Sequence, residues 1–477
     1  MAGPPDGRSQ RGKAEPLRRQ PFPTGLVFLV LIVCSPVPAF TQPFVPLPST
    51  PTQPFAPTAP PSPELDIGPF RLRTSLTVQG EYNDNFSRSK EDKQEEFRES
   101  VTPGFSLGLS RGRGSADLSY APSFIHSSVA EGEIQVFHLL SANASLPLSE
   151  RLTLNASDRF RQTDEPEFTD PRDLRTGRGT LTQNIFNSDL TYQGDTWSLS
   201  IPRYSLTLNR RGRSALTRDT FDRTQGATRE QSTVQTIGTS ATVDVLSRNT
   251  LSGGYDLTIG EFTARNDFIG HTGRLGISRQ LNPRTAASLG GSIAHRDVQD
   301  GTDFNIYSVG IGLQRDVTPL YTVDARFGYN FLDAESGATA QGLTFLLQGM
   351  YTGKSVRVSA ITRQSLQETF LEAENVGVTE TRETILQVSY DASSRLTLTL
   401  RGRLAEHTFL QSSDSTAVGQ GQDREDVRFE TGLDVAFQLT RLLSLTLGYT
   451  YTSLDSNRTD FGYQNNRVRV GLTVTYP

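Results

Sequence analysis

Apolar and polar residues alternate strictly over the last stretch of the chain, Arg467 to Pro477. Val468, Val470, Leu472, Val474 and Tyr476 alternate there with Arg467, Arg469, Gly471, Thr473 and Thr475. Successive side chains of a β-strand point to opposite faces, so the pattern predicts a strand with one apolar and one polar face. Such a strand could be half-buried in a soluble sandwich, or it could lie in the wall of a membrane barrel.

Alternating segments of this kind recur from Phe70 to the end, and the connections between them favour the barrel. Short turns recur roughly every 35 to 50 residues, which fits one hairpin plus one loop. The short turns are Arg111–Gly114, Ser149–Arg151, Gly194–Thr196, Ser247–Asn249, Asn282–Arg284, Thr318–Pro319, Thr352–Lys354, Ser393–Arg395 and Thr440–Arg441. Longer polar connections lie between them, at 83–97, 163–178, 210–230 and 410–424.

Short periplasmic turns that alternate with longer outer loops are typical of outer-membrane barrels. The sequence therefore predicts an all-β fold, a transmembrane antiparallel β-barrel of about 20 strands, within a range of about 16 to 22. No folded plug domain is expected before the first strand, because the preceding segment is too rich in proline.

The alternation also assigns the faces of the predicted strands. An arginine on the lipid face at mid-depth would cost about 2–4 kcal/mol, so the charged residues should face the lumen. The predicted lumen residues are Arg71, Arg73, Glu81, Arg326, Arg401, Arg403, Arg428, Glu430, Asp434, Arg467 and Arg469. Because the first strand of a barrel pairs with the last, Arg71 and Arg73 are expected beside Arg467 and Arg469. These charges would either attract anionic solutes or form Arg–Asp/Glu pairs that brace neighbouring strands.

Composition narrows the class of protein. The 477 residues are 35% hydrophobic and the mean hydropathy is −0.41, which excludes a helical membrane protein but not a barrel. A net charge of −5 implies no nucleic-acid partner. The histidines are scattered, the only cysteine is Cys34, and no spacing suggests a metal site, so no cofactor is predicted.

The N-terminal region predicts export. Basic residues precede the apolar run Gly25–Cys34, which is about ten residues long and too short to span a bilayer. Small residues around Ala39 then offer a cleavage site, so residues 1–39 are predicted to be a signal peptide. Residues 40–69 are rich in proline and predict an extended periplasmic linker, either a flexible tether or a docking segment for an export partner.

Two motifs resemble a known family. Glu81-Tyr-Asn-Asp-Asn85 at the end of the first strand and Asp117-Leu-Ser-Tyr120 in a later strand resemble segments of outer-membrane β-barrel porins found in exopolysaccharide loci. The resemblance implies an outer-membrane barrel linked to polysaccharide export, and it supplies no catalytic residues. The final strand is similar to the terminal assembly signal of such proteins, carried here by Val470, Leu472, Val474 and Tyr476. Pro477 departs from that pattern, which usually stops at the aromatic residue.

These observations leave several functions open for residues 70–477. The leading hypothesis is a channel in the bacterial outer membrane that serves exopolysaccharide export. The alternatives are a general diffusion porin for small solutes and a non-conducting structural or adhesive barrel. No grouping of nucleophile, base and acid can be recovered from the spacing, so an enzyme is not expected. The expected partners are outer-membrane lipid, the barrel assembly machinery and, for the export hypothesis, polysaccharide and periplasmic export proteins.

Overall fold

The structure is a computed structural model that describes residues 65–129, 133–164, 179–213, 231–263, 266–335, 339–371, 374–410, 424–457 and 462–476. The predicted signal peptide, most of the predicted linker and several of the long connections therefore lie outside the described residues. The strands are β1 Leu65–Ile67, β2 Phe70–Asn83, β3 Glu96–Arg111, β4 Gly114–Ser127, β5 Ile134–Pro147, β6 Leu152–Thr163, β7 Gly179–Gln193, β8 Trp197–Arg213, β9 Gln231–Leu246, β10 Asn249–Phe262, β11 Phe268–Asn282, β12 Thr285–Val298, β13 Phe304–Thr318, β14 Tyr321–Ala334, β15 Thr339–Thr352, β16 Val356–Leu371, β17 Glu374–Ser393, β18 Leu396–Leu410, β19 Arg424–Gln438, β20 Leu443–Ser456 and β21 Tyr463–Tyr476.

Each strand from β2 to β21 pairs antiparallel with the next, and β21 pairs back with β2, from Thr74 opposite Tyr476 to Asn83 opposite Arg467. The described residues thus form a closed barrel of 20 strands, β2 to β21, which confirms the predicted fold class and strand number. The short β1 pairs only with the start of β2 and lies within the segment predicted as linker. No helix and no separate plug domain occurs among the described residues.

The two ends of the barrel differ in their connections. Every predicted short turn lies between two strands at one end, which we call the short-turn end, and both Phe70 and Tyr476 are there as well. The strand ends that the longer connections join lie at the opposite, long-loop end, where the β2–β3 loop of residues 84–95 is also found. Along the described residues, no helix is long and apolar enough to cross a membrane.

The wall is apolar on its exposed face and polar on its buried face. Leu275, Val309 and Leu343 are 63%, 56% and 67% exposed, whereas the charged residues Glu81 and Arg428 are each only 4% exposed. A soluble sheet buries its apolar face, because apolar surface is driven out of water. The reversed arrangement is the one that a barrel adopts when lipid surrounds it.

One apolar cluster lies on the inner face, near the long-loop end of β10 to β15. Its buried members are Phe268, Val298, Phe304 and Leu332. Two short loops next to it are closed in the same way: the carboxylates of Asp267 and Asp303 each accept a 2.8 Å hydrogen bond from the last backbone N–H of the preceding strand. This part of the rim is therefore packed and hydrogen-bonded.

Candidate functional site: the inner wall

Alternating residues of successive strands form one polar surface, which we call the inner wall. A hydrogen bond skips a strand on this surface: the side-chain amide of Asn330 on β14 donates to the carbonyl of Leu366 on β16 at 3.0 Å. Such a contact fits the concave side of a closed sheet. The strand registers place every predicted lumen residue on this surface: Arg71, Arg73, Glu81, Arg326, Arg401, Arg403, Arg428, Glu430, Asp434, Arg467 and Arg469.

Carboxylates shared between arginines link several neighbouring strands. Glu383 on β17 lies between Arg363 on β16, at 2.5 Å, and Arg403 on β18, at 2.6 Å. Asp434 on β19 contacts Arg401 on β18 and lies 3.7 Å from Arg469 on β21. These pairs have the geometry of a brace across the wall.

Other predicted arginines pair within their own strand. The guanidinium of Arg326 is 2.7 Å from Asp324, and that of Arg428 is 2.6 Å from Glu430. Residues two apart on a strand share a face, so these contacts follow directly from the sequence pattern. Much of the predicted positive charge on this wall is therefore matched by an adjacent carboxylate.

One predicted juxtaposition is wrong. Arg71 and Arg73 do not lie beside Arg467 and Arg469, although β2 and β21 do pair. The register sets Arg467 opposite Asn83 and Arg469 opposite Glu81, because antiparallel strands oppose the start of one to the end of the other. Arg73 is eight residues from Glu81, about 26 Å along a strand. The two arginine pairs therefore lie at opposite ends of the barrel.

The inner wall also carries arginines that sequence reasoning missed. Arg159 on β6 is exposed and makes no ion pair with the described residues. Arg203 on β8 has a side chain that is 42% exposed and lies 4.0 Å from Asp256, whose other carboxylate oxygen contacts Arg274 on β11. The alternation in β6 could have identified Arg159. A bulge between Ser200 and Arg203 disrupts the pattern in β8 and hides Arg203.

The motif that resembles porins of exopolysaccharide loci joins the first strand to the last. Asp84 accepts two hydrogen bonds from Asn466, from the backbone N–H and from the side-chain amide, both at 2.6 Å. Its own backbone N–H donates to the carbonyl of Asn466 at 3.1 Å. The amide of Asn85 donates to the carbonyl of Gln464 at 2.7 Å, and the amide of Asn465 donates to the side-chain oxygen of Asn83. The motif thus clasps the seam where the barrel closes.

The predicted assembly signal lies on the outer face, whereas the histidines are divided between the two faces. His407 on β18 is 1% exposed on the inner wall, with its Nδ1 3.1 Å from the hydroxyl of Thr381. Val470, Leu472, Val474 and Tyr476 are exposed on the apolar outer face of β21. His138 lies on that face too, with its Nδ1 3.0 Å from the hydroxyl of Tyr120. No group of three or more metal-ligating side chains occurs among the described residues.

Comparison with known proteins agrees with this architecture. Residues 307–476, from β13 to β21, match a family model described as "Putative beta-barrel porin 2". This stretch of the chain is similar to that porin family. The porin match does not extend to the Asn83–Asn85 motif at the seam. No curated protein sequence matches the chain.

Solved structures share the fold at low sequence identity. The FrpB iron transporter from Neisseria meningitidis, F5-1 variant, superposes in its apoprotein form with a TM-score of 0.52 at 11% identity, over 87% of this chain and 82% of that one. A second structure of that variant gives 0.50 at 10% identity, over 87% and 83%. The F3-3 variant gives 0.50 at 10%, over 86% and 82%. These likenesses concern the barrel alone.

Proposed function

We propose that the chain is an outer-membrane channel that conducts through its polar inner wall. The observation that carries this proposal is the combination of a 20-stranded closed barrel with an apolar exposed face and a charged inner face. Barrels of eight strands are filled by their own side chains, whereas those of about 16 to 18 leave an aqueous channel. A barrel of 20 strands is wide enough for such a passage.

The distribution of charge favours anionic solutes. On β16 to β21 the carboxylates of Glu383 and Asp434 each face two arginines, so that part of the wall acts mainly as a brace. On β6 to β11, Arg159 has no carboxylate partner among the described residues, and Arg203 shares Asp256 with Arg274. A cleft lined by an excess of one charge raises the local concentration of the opposite ion.

The cargo that we propose is an acidic exopolysaccharide on its way out of the cell. Two observations support it: the resemblance of the Glu81–Asn85 segment to porins of exopolysaccharide loci, and the arginines on the inner wall. The assembly signal on β21 would be recognised by the barrel assembly machinery, and the proline-rich segment would extend from the barrel into the periplasm as a tether. Periplasmic export proteins would deliver the polymer.

A general diffusion porin is the second candidate, because the family match is to porins. Efflux from vesicles separates the two. Vesicles that contain the purified barrel are loaded with an acidic oligosaccharide, a neutral oligosaccharide of equal length or a small neutral sugar. An export channel should release the acidic oligosaccharide faster than the neutral one, and Arg159→Ser with Arg203→Ser should remove that preference. Release that depends on size alone would favour the diffusion porin, and no release of any solute would contradict both.

A further inference from the structure

Basic residues are concentrated at the short-turn end of the barrel. The turns between the described strands there hold seven basic residues and two acidic ones, Glu150 and Asp195. The connections at the long-loop end hold twice as many acidic as basic residues. The chain is therefore basic at one end of the barrel, although its net charge is −5. The basic turn residues, all exposed, are Arg113, Arg151, Arg248, Arg284, Lys354, Arg395 and Arg441.

On one part of this end, arginines also lie on the outer face of the strands themselves. Arg279 near the end of β11 and Arg315 near the end of β13 are both exposed. Two residues before them, Ile277 and Leu313 are exposed on the apolar outer face. Residues two apart on a strand share a face, so Arg279 and Arg315 point outward at the lower edge of the apolar belt.

Backbone hydrogen bonds bring a turn arginine next to each of these strand arginines. The carbonyl of Arg248 accepts from the N–H of Gln280 at 2.8 Å, and the carbonyl of Arg284 accepts from the N–H of Asp316 at 2.8 Å. The same arrangement thus occurs twice between β9 and β13. We call the group the outer-rim arginines: Arg248, Arg279, Arg284 and Arg315.

The outer-rim arginines make no ion pair and no side-chain hydrogen bond with the described residues. The carboxylates closest to them in sequence, Asp244 and Asp316, face the inner wall instead. Each accepts a hydrogen bond there, from the hydroxyl of Thr250 at 2.7 Å and from that of Thr322 at 3.2 Å. Four exposed positive charges on the outer rim therefore lack a carboxylate partner within the part of the chain that the structure describes.

Exposed leucines adjoin these charges. Leu246, two residues before Arg248, is 66% exposed, and Leu281, two residues after Arg279, is 47% exposed. Arginine packs its apolar stem along such surface and keeps its guanidinium at the polar boundary. The guanidinium group also binds phosphate through two parallel hydrogen bonds. Leucines for acyl chains beside arginines for phosphates suit the boundary between the hydrocarbon and the headgroups of a bilayer.

We propose that the outer-rim arginines are a binding surface for the headgroup phosphates of anionic phospholipid in the leaflet around the short-turn end. In outer-membrane barrels the short turns are periplasmic, so this is the periplasmic leaflet. One arginine near an anionic membrane surface contributes about fivefold to a binding constant. The inference does not depend on whether the barrel conducts.

The fluorescence of Trp197, the only tryptophan of the chain, can test the proposal. Trp197 is exposed on the outer face at the start of β8 and lies opposite Val243, near the end of β9 that leads to Arg248. The full chain is folded into vesicles of equal parts phosphatidylcholine and phosphatidylglycerol, with brominated acyl chains on one lipid or the other. Bromine quenches tryptophan on contact, so quenching should be stronger when the phosphatidylglycerol carries it.

Two variants separate a specific surface from general attraction by charge. Arg248→Ser should reduce the preference for phosphatidylglycerol about fivefold, and adding Arg279→Ser should abolish it. Arg151→Ser is the matched control, since Arg151 is also an exposed turn arginine near Trp197 but lies 2.8 Å from Asp195. This control should keep the preference of the wild type.

Each outcome decides for or against the surface. Equal quenching by the two lipids in the wild type would overturn the proposal and leave the arginines to a soluble acidic partner. An equal loss of preference in Arg248→Ser and Arg151→Ser would also overturn it, because net charge near Trp197 would then account for the effect. The wild-type comparison needs no variant, so it holds even if a substituted chain does not fold.

Discussion

Placing the same charge on the two faces of one strand should have very different consequences. Val309 lies mid-way along β13 on the outer face, 56% exposed, between Gly291 on β12 and Tyr329 on β14. Ser308, its neighbour in the chain, points to the inner wall. We predict that Val309→Arg destabilises the folded barrel in lipid far more than Ser308→Arg does.

The structure allows the size of the difference to be worked out. An arginine on the lipid face of a barrel costs about 2–4 kcal/mol at the bilayer midplane. The arginine at 308 would meet small, polar partners, Ser292 and Asn330, on the inner wall and should cost little. Each 1.4 kcal/mol is tenfold in an equilibrium constant, so the folding constants of the two variants should differ by about 30- to 700-fold.

Equilibrium urea unfolding in lipid vesicles measures this difference. Trp197, the only tryptophan, stacks on Tyr192 at the short-turn end and provides a fluorescence signal far from the substituted position. Val309→Ala, which shortens the side chain without adding charge, serves as a control and should be only mildly destabilised. Equal unfolding midpoints for the two arginine variants would show that the assigned faces are wrong.

Three further substitutions test other parts of the account. Asn85→Ala should allow trypsin to cleave the β2–β3 loop at Lys90, while the unheated protein should still migrate on gels as a folded barrel. A loop that trypsin does not cleave would show that Asn85 does not hold it in place. Glu383→Gln should lower the free energy of unfolding by about 3 kcal/mol, because it leaves two arginines without their shared carboxylate. The side chain of Glu406 is 46% exposed, so the control Glu406→Gln should change the free energy of unfolding by less than about 1 kcal/mol. Phe268→Ala should cost about 3 kcal/mol in the same urea assay, since it opens a cavity in the apolar cluster, and an unchanged midpoint would show that the cluster does not stabilise the rim.

The repeating features of the barrel were predictable because each depends on neighbours in the chain. Alternation and turn residues act locally, so the hairpins and the faces of their strands follow from the sequence. The bulge before Arg203 is an exception, since one irregularity in the strand shifts which residues face inward. Arg71 lies far from Arg467 because antiparallel pairing sets the start of β2 against the end of β21, so the starts of the two strands are at opposite ends of the barrel.

The candidate site depended more on contacts between distant parts of the chain. Paired residues such as Asp324 and Arg326 could be identified, because they are two apart on one strand. The hydrogen bonds that clasp the seam could not, because Asn85 and Gln464 are 379 residues apart and only closure brings them together.

The most direct test of the channel is the current through the purified wild-type barrel in a planar bilayer under a chloride salt gradient. The account predicts stepwise single-channel conductance with a reversal potential on the anion-selective side. Absence of any conductance from folded protein, or clear selectivity for cations, would contradict it.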